Sequence, residues 1–486
     1  MNGKLVLPGL HDAHAHPIQG AEASGHCQLT GLQKVADIKE ALIQYGNQND
    51  SLEVILGRGW ELTAFPNGNP RKELLDSIFP DRPAILTSWD GHNAWVNSKA
   101  LEMAAITAQT PDPKNGRIER DQETGMPTGT LRETAMGLVQ HLLPKKTGAD
   151  YEHFLKMAMR TANAHGITAM VDATAGEAYL RAYRALDEKG QLSIRVTACL
   201  DMGTEAPISL NQLLELRRKY MGQRLNTNAV KIYADGVPEA KTAALLEPYH
   251  TPDGIQDYGI LNYAAEELKA RVDSLDHHGF QIHVHALGDK AVRTALDALE
   301  GTDRGNRHHL AHLQIVHPKD VPRFGQLGVI ANFQPFWAKG DPLNLKTIVP
   351  LVGEERSRNM YPMGSMAATK AVLVAGSDWP VSTLNPWEAM QVAVTRKLIG
   401  TPSESWLPNE RIDLTTVVAA YTKNAAYGMH LDDRTGSLEV GKDADLIVLD
   451  RDIFEIPNQQ IHKTKVLLTM LEGKIVHRAA SFKEPK

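Results

Sequence analysis

The chain has 486 residues, of which 42% are hydrophobic and 23% charged, and its formal net charge is −6. This composition supports a large buried core and excludes a disordered chain, and the lack of a basic block argues against a nucleic-acid partner. No apolar run approaches the ~20 residues of a membrane span, no signal-peptide core follows Met1, and two cysteines cannot form a disulfide framework. We therefore expect a cytoplasmic protein without a membrane partner.

The first predicted strand carries a histidine pair. LVLPGLHDAHAH (residues 5–16) places His14 and His16 two positions apart, and side chains at i and i+2 of a strand point to the same face. Two imidazoles placed in this way can bind one metal ion. A chain with 20 histidines is expected to contain roughly 0.8 such pairs by chance, and this one has a second at His283 and His285. The pair therefore needs further ligands before it predicts a metal site.

Residues 27–145 are predicted to form a subdomain inserted after the first strand. The stretch is too long for a single crossover between strands, and it contains strand-like runs of its own at EVILGRGW and PAILTSWDGHNAWVNSKAL. A segment rich in Gly, Pro and Thr follows around residues 111–132. We expect this subdomain to lie over the mouth of the domain into which it is inserted.

From residue 167 onward, short apolar strands alternate with amphipathic helices. Together with the first strand they make eight, which predicts an α/β protein whose main domain, residues 5–26 and 146–428, is a TIM-type (β/α)8 barrel. The seven later strands are predicted at residues 167–173, 194–200, 230–236, 281–286, 309–316, 329–335 and 372–380.

Residues 429–486 are predicted to form a small C-terminal β-subdomain. GSLEVGKDADLIVLD and VLLTMLEGKIVHR have the pattern of a strand, a connection and a hairpin with a Glu-Gly-Lys turn.

The carboxyl ends of the predicted barrel strands carry four imidazoles, one lysine and one carboxylate. Side chains at these ends converge on the active site of such a barrel. Each residue alone has an ordinary structural role, as a hydrogen-bonded histidine, a paired lysine or a turn-forming aspartate, but their joint placement favours a metal site. The residues are His14, His16, Lys231, His285, His312 and Asp378.

The inserted subdomain offers three candidates for substrate binding, which are His92 in DGHNAW and Arg58 and Trp60 in GRGW. Trp60, Trp95 and Trp379 would form an aromatic-walled lid over the substrate. The alternative, that Trp60 and Trp95 only pack the core of the subdomain, is left open.

Nine motifs in order along nearly the whole chain resemble those of one family: PGLHDAHAH, LGRGW, DGHNAWVNS, VKIYADG, VHALGD, HLAHLQ, FQP, GSDWPV and GSLEVGKDADLIVLD. This is the metal-dependent amidohydrolase superfamily, and specifically amidohydrolase family 3, the YtcJ-like branch that includes N-substituted formamide deformylases. The resemblance implies a hydrolase that cleaves a non-peptide C–N bond of a small molecule, as in an amide, an N-formyl compound or a cyclic amide.

The resemblance also implies a ligand set. His14, His16 and Asp378 would hold one divalent ion, His285 and His312 a second, and Lys231 would bridge both as an N-carboxylated lysine. Within HVH the residue before ALGD matches the family ligand, so His285 is expected to ligate and His283 is not; likewise His312 is expected to ligate, and His308 and His309 are not. Ala311 stands where the family often has Glu, so the number of ions stays at one or two. Zinc is the expected metal, and manganese or iron is compatible.

The implied reaction begins with a hydroxide generated at the metal, since a bound divalent cation lowers the pKa of water toward ~7. Asp378 would take the proton of the attacking water and deliver it to the leaving nitrogen. A deaminase or an ester or phosphotriester hydrolase would use the same ligands. A metal-free scaffold or signalling protein is the alternative from a different class. Whether the chain forms a homo-oligomer stays open.

The last expectation concerns the first residues. Relatives carry several dozen residues before their first barrel strand, and these form strands that pair with the C-terminal segment in a small β-sandwich. Only MNGKL precedes it here, so a partial β-sandwich is expected, with unpaired edges in Ser437–Leu449 and Val466–Val476. The native chain would begin upstream, or another chain would replace the missing layer. The apolar face expected to be exposed consists of Leu446, Ile447, Val448, Leu467 and Leu468.

Overall fold

The structure is a computed structural model that describes residues 4–89, 91, 93–113, 116–202, 208–251, 254 and 256–482. Its strands are β1 (Val6–Pro8), β2 (Leu10–Ala15), β3 (Cys27–Gln28), β4 (Ile55–Trp60), β5 (Ala84–Ser88), β6 (Asn93–Val96), β7 (Gly116–Arg120), β8 (Pro127–Glu133), β9 (Ile167–Ala175), β10 (Arg195–Asp201), β11 (Leu225–Tyr233), β12 (Gln281–Ala286), β13 (His309–His312), β14 (Ile330–Phe333), β15 (Leu373–Ala375), β16 (Leu446–Leu449), β17 (Val466–Leu471) and β18 (Lys474–Arg478).

Its α-helices are α1 (Pro17–Ser24), α2 (Val35–Gln48), α3 (Lys72–Asp76), α4 (Ser98–Met103), α5 (Gly148–Ala164), α6 (Glu177–Glu188), α7 (Leu210–Tyr220), α8 (Ala265–His277), α9 (Asp289–Leu299), α10 (Val321–Leu327), α11 (Val349–Val352), α12 (Glu354–Ser357), α13 (Met363–Ala368), α14 (Pro386–Thr395), α15 (Leu414–Ala420) and α16 (Lys423–Gly428). None of the helices in the described ranges is long and apolar enough to cross a membrane.

The chain divides into two compact units. One consists of Met1–Ile18 and Gly148–Lys486, and the other is Gln19–Thr147.

The first unit contains an eight-stranded parallel sheet in the order β15-β14-β13-β12-β11-β10-β9-β2. The segment that follows β15 meets the end of β2 and so brings the two sheet edges together. The Asp378 N–H donates to the His14 carbonyl oxygen at 2.7 Å, and the His16 N–H donates to the Trp379 carbonyl oxygen at 2.8 Å. The expected (β/α)8 barrel is therefore confirmed.

Alternation along each strand separates the barrel interior from the helix layer. On β12, Ile282 and Val284 are fully buried in the main hydrophobic core, and His283 and His285, which alternate with them, point the other way. Inward-pointing side chains near the strand ends all face the barrel interior. The strands can therefore bring polar groups together there while their apolar side chains pack against the helices.

The C-terminal sheet is antiparallel, in the order β1-β16-β17-β18. The predicted exposure of its apolar face is wrong, because Val6 pairs with Val448 along the edge of β16, and Ile447, Val448, Leu467 and Leu468 are all buried. One face packs into the barrel core through Ile447 and the other is covered in part by Phe482. Leu446 is partly buried against this second face.

These C-terminal strands belong to the same compact unit as the barrel, and a buried ion cluster helps to explain why. Arg195 on β10 is 2% exposed, and its guanidinium contacts Asp445, Asp443 at 2.8 Å and Glu472 at 2.9 Å. Removing a buried guanidinium from its carboxylates would leave an uncompensated charge, so the sheet stays docked on the barrel strand.

The second unit has a six-stranded sheet in the order β3-β4-β5-β6-β8-β7. The pairs β3–β4 and β4–β5 are parallel, and the pairs β5–β6, β6–β8 and β7–β8 are antiparallel. One side of this sheet packs on a cluster that includes Trp60, Leu86 and Trp95. This unit spans the segment in which the inserted subdomain is expected, beginning and ending a few residues further out.

Candidate metal centre

The end of β2 is fixed by a buried carboxylate. Asp12, 1% exposed, accepts hydrogen bonds at Oδ1 from the backbone N–H groups of His14 at 3.1 Å and Ser377 at 2.9 Å. One side chain thereby joins the first strand of the barrel to the segment after the last. Asp12 therefore binds backbone N–H groups and is not grouped with the predicted ligands His14 and His16.

Three of the predicted ligands form a tight cluster. The ligand atoms of His14, His16 and Asp378 all lie within 4.8 Å of one another. Asp378 Oδ1 is 3.4 Å from His14 Nε2 and 3.2 Å from His16 Nε2. Burial alone would raise the pKa of Asp378, but the hydrogen bond with His16 and the nearby charge of Lys231 help to hold it below its ordinary value. Asp378 is therefore a carboxylate at neutral pH.

The other three predicted ligands lie beside this cluster. The ring centroids of His285 and His312 are 4.6 Å apart, and His312 is also 4.6 Å from His14. Lys231, 1% exposed, places Nζ 4.9 Å from the ring centroid of Tyr233, whose ring is 5.3 Å from His285. The structure therefore brings all six residues to one end of the barrel.

Burial favours the neutral forms of the basic side chains in this region. Burial and the nearby charge of Lys231 lower the pKa of His285 to about 3, and burial lowers that of His312 well below its usual value. Burial also lowers the pKa of Lys231 to about 8. Because a metal ligand must be deprotonated, these shifts favour the ligating forms.

The site fits a divalent cation. His14 Nε2 and His312 Nδ1 are buried and have no hydrogen-bond partner among the residues that the structure describes. Buried polar atoms normally have a partner, so two such nitrogens on rings whose centroids are 4.6 Å apart need an explanation. Imidazole and carboxylate donors suit zinc and related divalent ions, and a bound cation would supply the missing partner.

Several neighbours of the cluster were missed by the sequence prediction. His283 Nε2 lies 2.9 Å from His14 Nδ1. The Trp337 ring stacks on His312 with a centroid distance of 5.3 Å and an interplanar angle of 5°. Buried Asp172, whose pKa burial raises to about 6, accepts a hydrogen bond from the Tyr183 hydroxyl at 2.8 Å. The HVH spacing signals that His283 shares the inward face with His285; the other contacts have no comparable local signal.

The predicted substrate contacts give a different result. Trp60 has no accessible surface, donates its indole N–H to the Leu86 carbonyl at 2.8 Å and packs edge-on against Phe65 and Trp95. A side chain enclosed in this way has no surface left for a substrate, so core packing describes both tryptophans and the expectation for Trp60 is corrected.

Arg58 is half-buried on β4 of the second unit, and burial lowers its pKa. His92 lies outside the described residues. Trp379 follows Asp378 directly and is partly buried against the barrel core. The substrate-binding roles of Arg58 and His92 stay predictions.

Comparison with known proteins gives three similarities that extend over nearly the whole chain. Residues 1–477 match the model of the amidohydrolase family. The chain is 30% identical to protein LONG AFTER FAR-RED 3 of Arabidopsis thaliana, over 98% of this chain and 82% of the relative. It is 27% identical to the N-substituted formamide deformylase of Arthrobacter pascens, over 97% of this chain and 88% of the relative.

Among solved structures, an uncharacterized metal-dependent hydrolase from Pyrococcus horikoshii OT3 has a TM-score of 0.76 and 27% sequence identity, covering 94% of this chain and 88% of that one. The aligned region therefore includes both compact units of this chain.

Proposed function

Because the chain belongs to the amidohydrolase family, we propose that it is a metal-dependent hydrolase that cleaves a non-peptide C–N bond of a small molecule, such as an amide, an N-formyl compound or a cyclic amide. The observation that carries this proposal is the cluster of His14, His16 and Asp378, in which the buried Nε2 of His14 has no hydrogen-bond partner among the described residues. The name of the Arthrobacter relative, an N-substituted formamide deformylase, supports the class of bond.

The proposed ligands are those expected from the family. His14, His16 and Asp378 would hold one ion, His285 and His312 a second, and Lys231 as an N-carboxylated lysine would lie between them. Zinc is our first choice of metal. A divalent cation, when bound, lowers the pKa of a water molecule and polarises a carbonyl oxygen.

Asp378 is the proposed proton carrier. Its Oδ1 lies 3.4 Å from His14 Nε2 and 3.2 Å from His16 Nε2, and its lowered pKa keeps it a carboxylate at neutral pH. It would accept a proton from the attacking water and return it to the leaving nitrogen, which must be protonated because an amide anion is a poor leaving group.

Aromatic side chains surround the second half of the site. Trp337 covers one face of the His312 ring, and Tyr233 lies against His285. These rings would hold the imidazoles in place and limit the access of bulk water. Arg58 and His92 stay candidates for substrate contact.

A substrate panel tests the proposal. Zinc-loaded protein and chelator-treated protein are compared on N-formyl amines, linear amides, cyclic amides, amino-heterocycles, aryl esters and phosphotriesters, with zinc content measured in parallel. We expect zinc-dependent hydrolysis to be fastest among the amide and N-formyl substrates. Faster deamination, or turnover confined to esters or phosphotriesters, would replace the proposed reaction. Protein that holds no metal and turns over nothing would favour a scaffold.

A further inference from the structure

Two buried histidines precede proposed ligands on their own strands: His283 comes before His285 on β12, and His309 comes before His312 on β13. His283 on β12 and His309 on β13 are 2% and 1% exposed, and their ring centroids are 5.3 Å apart. His283 was not expected to be a ligand, and its role in the barrel is otherwise unexplained. Burying an imidazole inside a barrel is costly unless its nitrogens have partners, so the partner of His283 is informative.

That partner is a proposed ligand on the opposite side of the barrel. His283 Nε2 lies 2.9 Å from His14 Nδ1, which is a hydrogen-bond distance. Strands β2 and β12 are separated by β9, β10 and β11 in the sheet, so the contact crosses the interior. The opposite nitrogen of His14, Nε2, points to Asp378 Oδ1 at 3.4 Å and has no hydrogen bond within the described part of the chain.

Hydrogen-bond chemistry fixes the direction of this contact. A neutral imidazole has one N–H and one lone pair, so a ligand that uses Nε2 carries its proton on Nδ1. The proton of His14 Nδ1 then has to be donated to His283 Nε2. His283 can accept it only as the tautomer that carries its own proton on Nδ1. The two rings thus fix each other's tautomer.

We propose that His283 is a positioning residue for His14: it accepts the His14 Nδ1 proton and holds the ring so that Nε2 faces His16 and Asp378. The inference rests on the proposed metal-binding function. The His309 ring lies beside His283 without a hydrogen bond to it among the described contacts, and its own Nε2 lies 3.2 Å from the Gly428 carbonyl oxygen. An acceptor of this kind raises the basicity of the ligand and fixes its orientation, and its loss typically costs 10–100-fold in metal affinity.

Two amide substitutions separate positioning from packing. In His283→Gln the side-chain oxygen reaches about as far as the imidazole Nε2 and can still accept the His14 proton. In His283→Asn the same amide is one carbon shorter and cannot reach it. Both variants place a polar amide at the same buried position, so a difference between them reports the hydrogen bond and not the loss of the ring.

The measurement is zinc affinity of the full chain, by competition with a chromophoric chelator after metal removal, together with zinc stoichiometry and a circular dichroism spectrum. We expect zinc binding by His283→Asn to be about 10–100-fold weaker than wild type at unchanged stoichiometry, and binding by His283→Gln to be restored to within about threefold. His309→Asn is the matched control: it removes the contact with Gly428 from the same interior but touches no proposed ligand, so its zinc affinity should stay within about threefold of wild type.

Equal zinc affinity of wild type and His283→Asn would overturn the inference, as would an equal loss in the Asn and Gln variants or in His309→Asn. Loss of a whole zinc equivalent in both His283 variants would make His283 a ligand, which also overturns it. If His283→Asn does not fold, His283→Gln still decides, because loss of its affinity contradicts the proposed acceptor role. A wild-type chain that binds no zinc overturns the proposed function itself, which these variant comparisons do not.

Discussion

Asp378 and His312 reach the site through backbone conformations that L-residues rarely adopt, with φ values of +52° and +80°. Such positions cost of order 1–3 kcal/mol each and persist only where the surrounding structure holds them. The hydrogen bond from the Asp378 N–H to the His14 carbonyl is one such restraint. Because both strained residues belong to one cluster, we infer that the fold accepts a local backbone cost in order to place these two side chains.

Asp378→Asn should separate metal binding from proton transfer. Asparagine has nearly the same shape and keeps one oxygen acceptor, so we expect the variant to retain at least one metal equivalent. It cannot carry a proton at neutral pH, so turnover should fall by about 10²–10⁴. Metal analysis and turnover of the substrate identified by the panel check both results.

Asp320→Asn is the control for losing a buried carboxylate. Asp320 is 2% exposed and pairs with Arg293 at 2.8 Å, outside the ligand cluster. This variant should lose stability but not turnover per folded molecule. Near-normal turnover in Asp378→Asn would assign the proton transfer to another group.

At the scale of elements, the barrel strands are predictable because their signal is local. In VKIYADG, Val230 and Ile232 alternate with Lys231, and this pattern alone predicts a strand with one side against the helices. The pairing of β1 with β16 has no local signal, because nothing within either segment specifies Val6 as the partner of Val448. The prediction of an exposed face on the C-terminal sheet was wrong because it assumed that β16 lacks a partner strand, and β1 is that partner.

The site shows the same division. The ligand candidates follow from strand ends and motifs, whereas the contact of His283 with His14 depends on the width of the barrel and the stagger of its strands, which residue spacing does not encode. Trp60 shows the limit for aromatic residues. A tryptophan beside a glycine-rich strand end is compatible with a binding wall or a core, and only its packing with Phe65 and Trp95 decides.

Lys231 on β11 should determine whether two ions bind. A carboxylated lysine is the only acid-like group that the predicted set offers between the two histidine pairs. We expect about two zinc equivalents in the wild type and one or fewer in Lys231→Ala, measured by elemental analysis after dialysis. Lys72→Ala is the control, because Lys72 lies in the second unit and donates to the Pro127 carbonyl at 2.9 Å. A fully active wild type with a single ion would contradict the binuclear site.

The ion cluster that joins the C-terminal sheet to β10 gives a pH-dependent contribution to stability. Glu472 contacts Arg195 at 2.9 Å and Arg224 at 2.6 Å. Burial alone would raise its pKa, but the Arg224 hydrogen bond and the neighbouring guanidinium charges lower it below the ordinary value of 4.5. Because the folded pKa is depressed, the contribution is present above the unfolded pKa and is lost as the pH falls through the folded value.

Glu472→Gln should therefore lower the free energy of unfolding by about 1–2 kcal/mol at pH 7, with a difference that shrinks as the pH falls below 4.5. Urea unfolding of both proteins across that range measures it. Glu188→Gln, which removes a more exposed partner of Arg184 at 2.8 Å, should cost less than about 0.5 kcal/mol. A pH-independent difference for Glu472→Gln would assign its effect to packing.

At the scale of the whole molecule, the two compact units have separate hydrophobic cores, and all six proposed ligands belong to the barrel unit. A ligand that binds only the native state stabilises it by an amount that grows with concentration, about 2.7 kcal/mol at 100 times the dissociation constant. Amide hydrogens that exchange through local opening are protected by this stabilisation only if the opening disrupts the metal site.

Removing the metal should therefore affect the two units differently in amide hydrogen exchange. We expect chelation to raise the exchange rate of β2, β12 and β13, which carry His14, His285 and His312, and to leave β4 and β5 nearly unchanged because their core contains no proposed ligand. Mass spectrometry of peptides from zinc-loaded and chelated protein measures both sets in one experiment. Readdition of zinc should restore protection in the barrel strands, and readdition of calcium, which prefers oxygen ligands, should not. An equal loss of protection in β4 and β5 would show that the second unit depends on the metal as strongly as the barrel does.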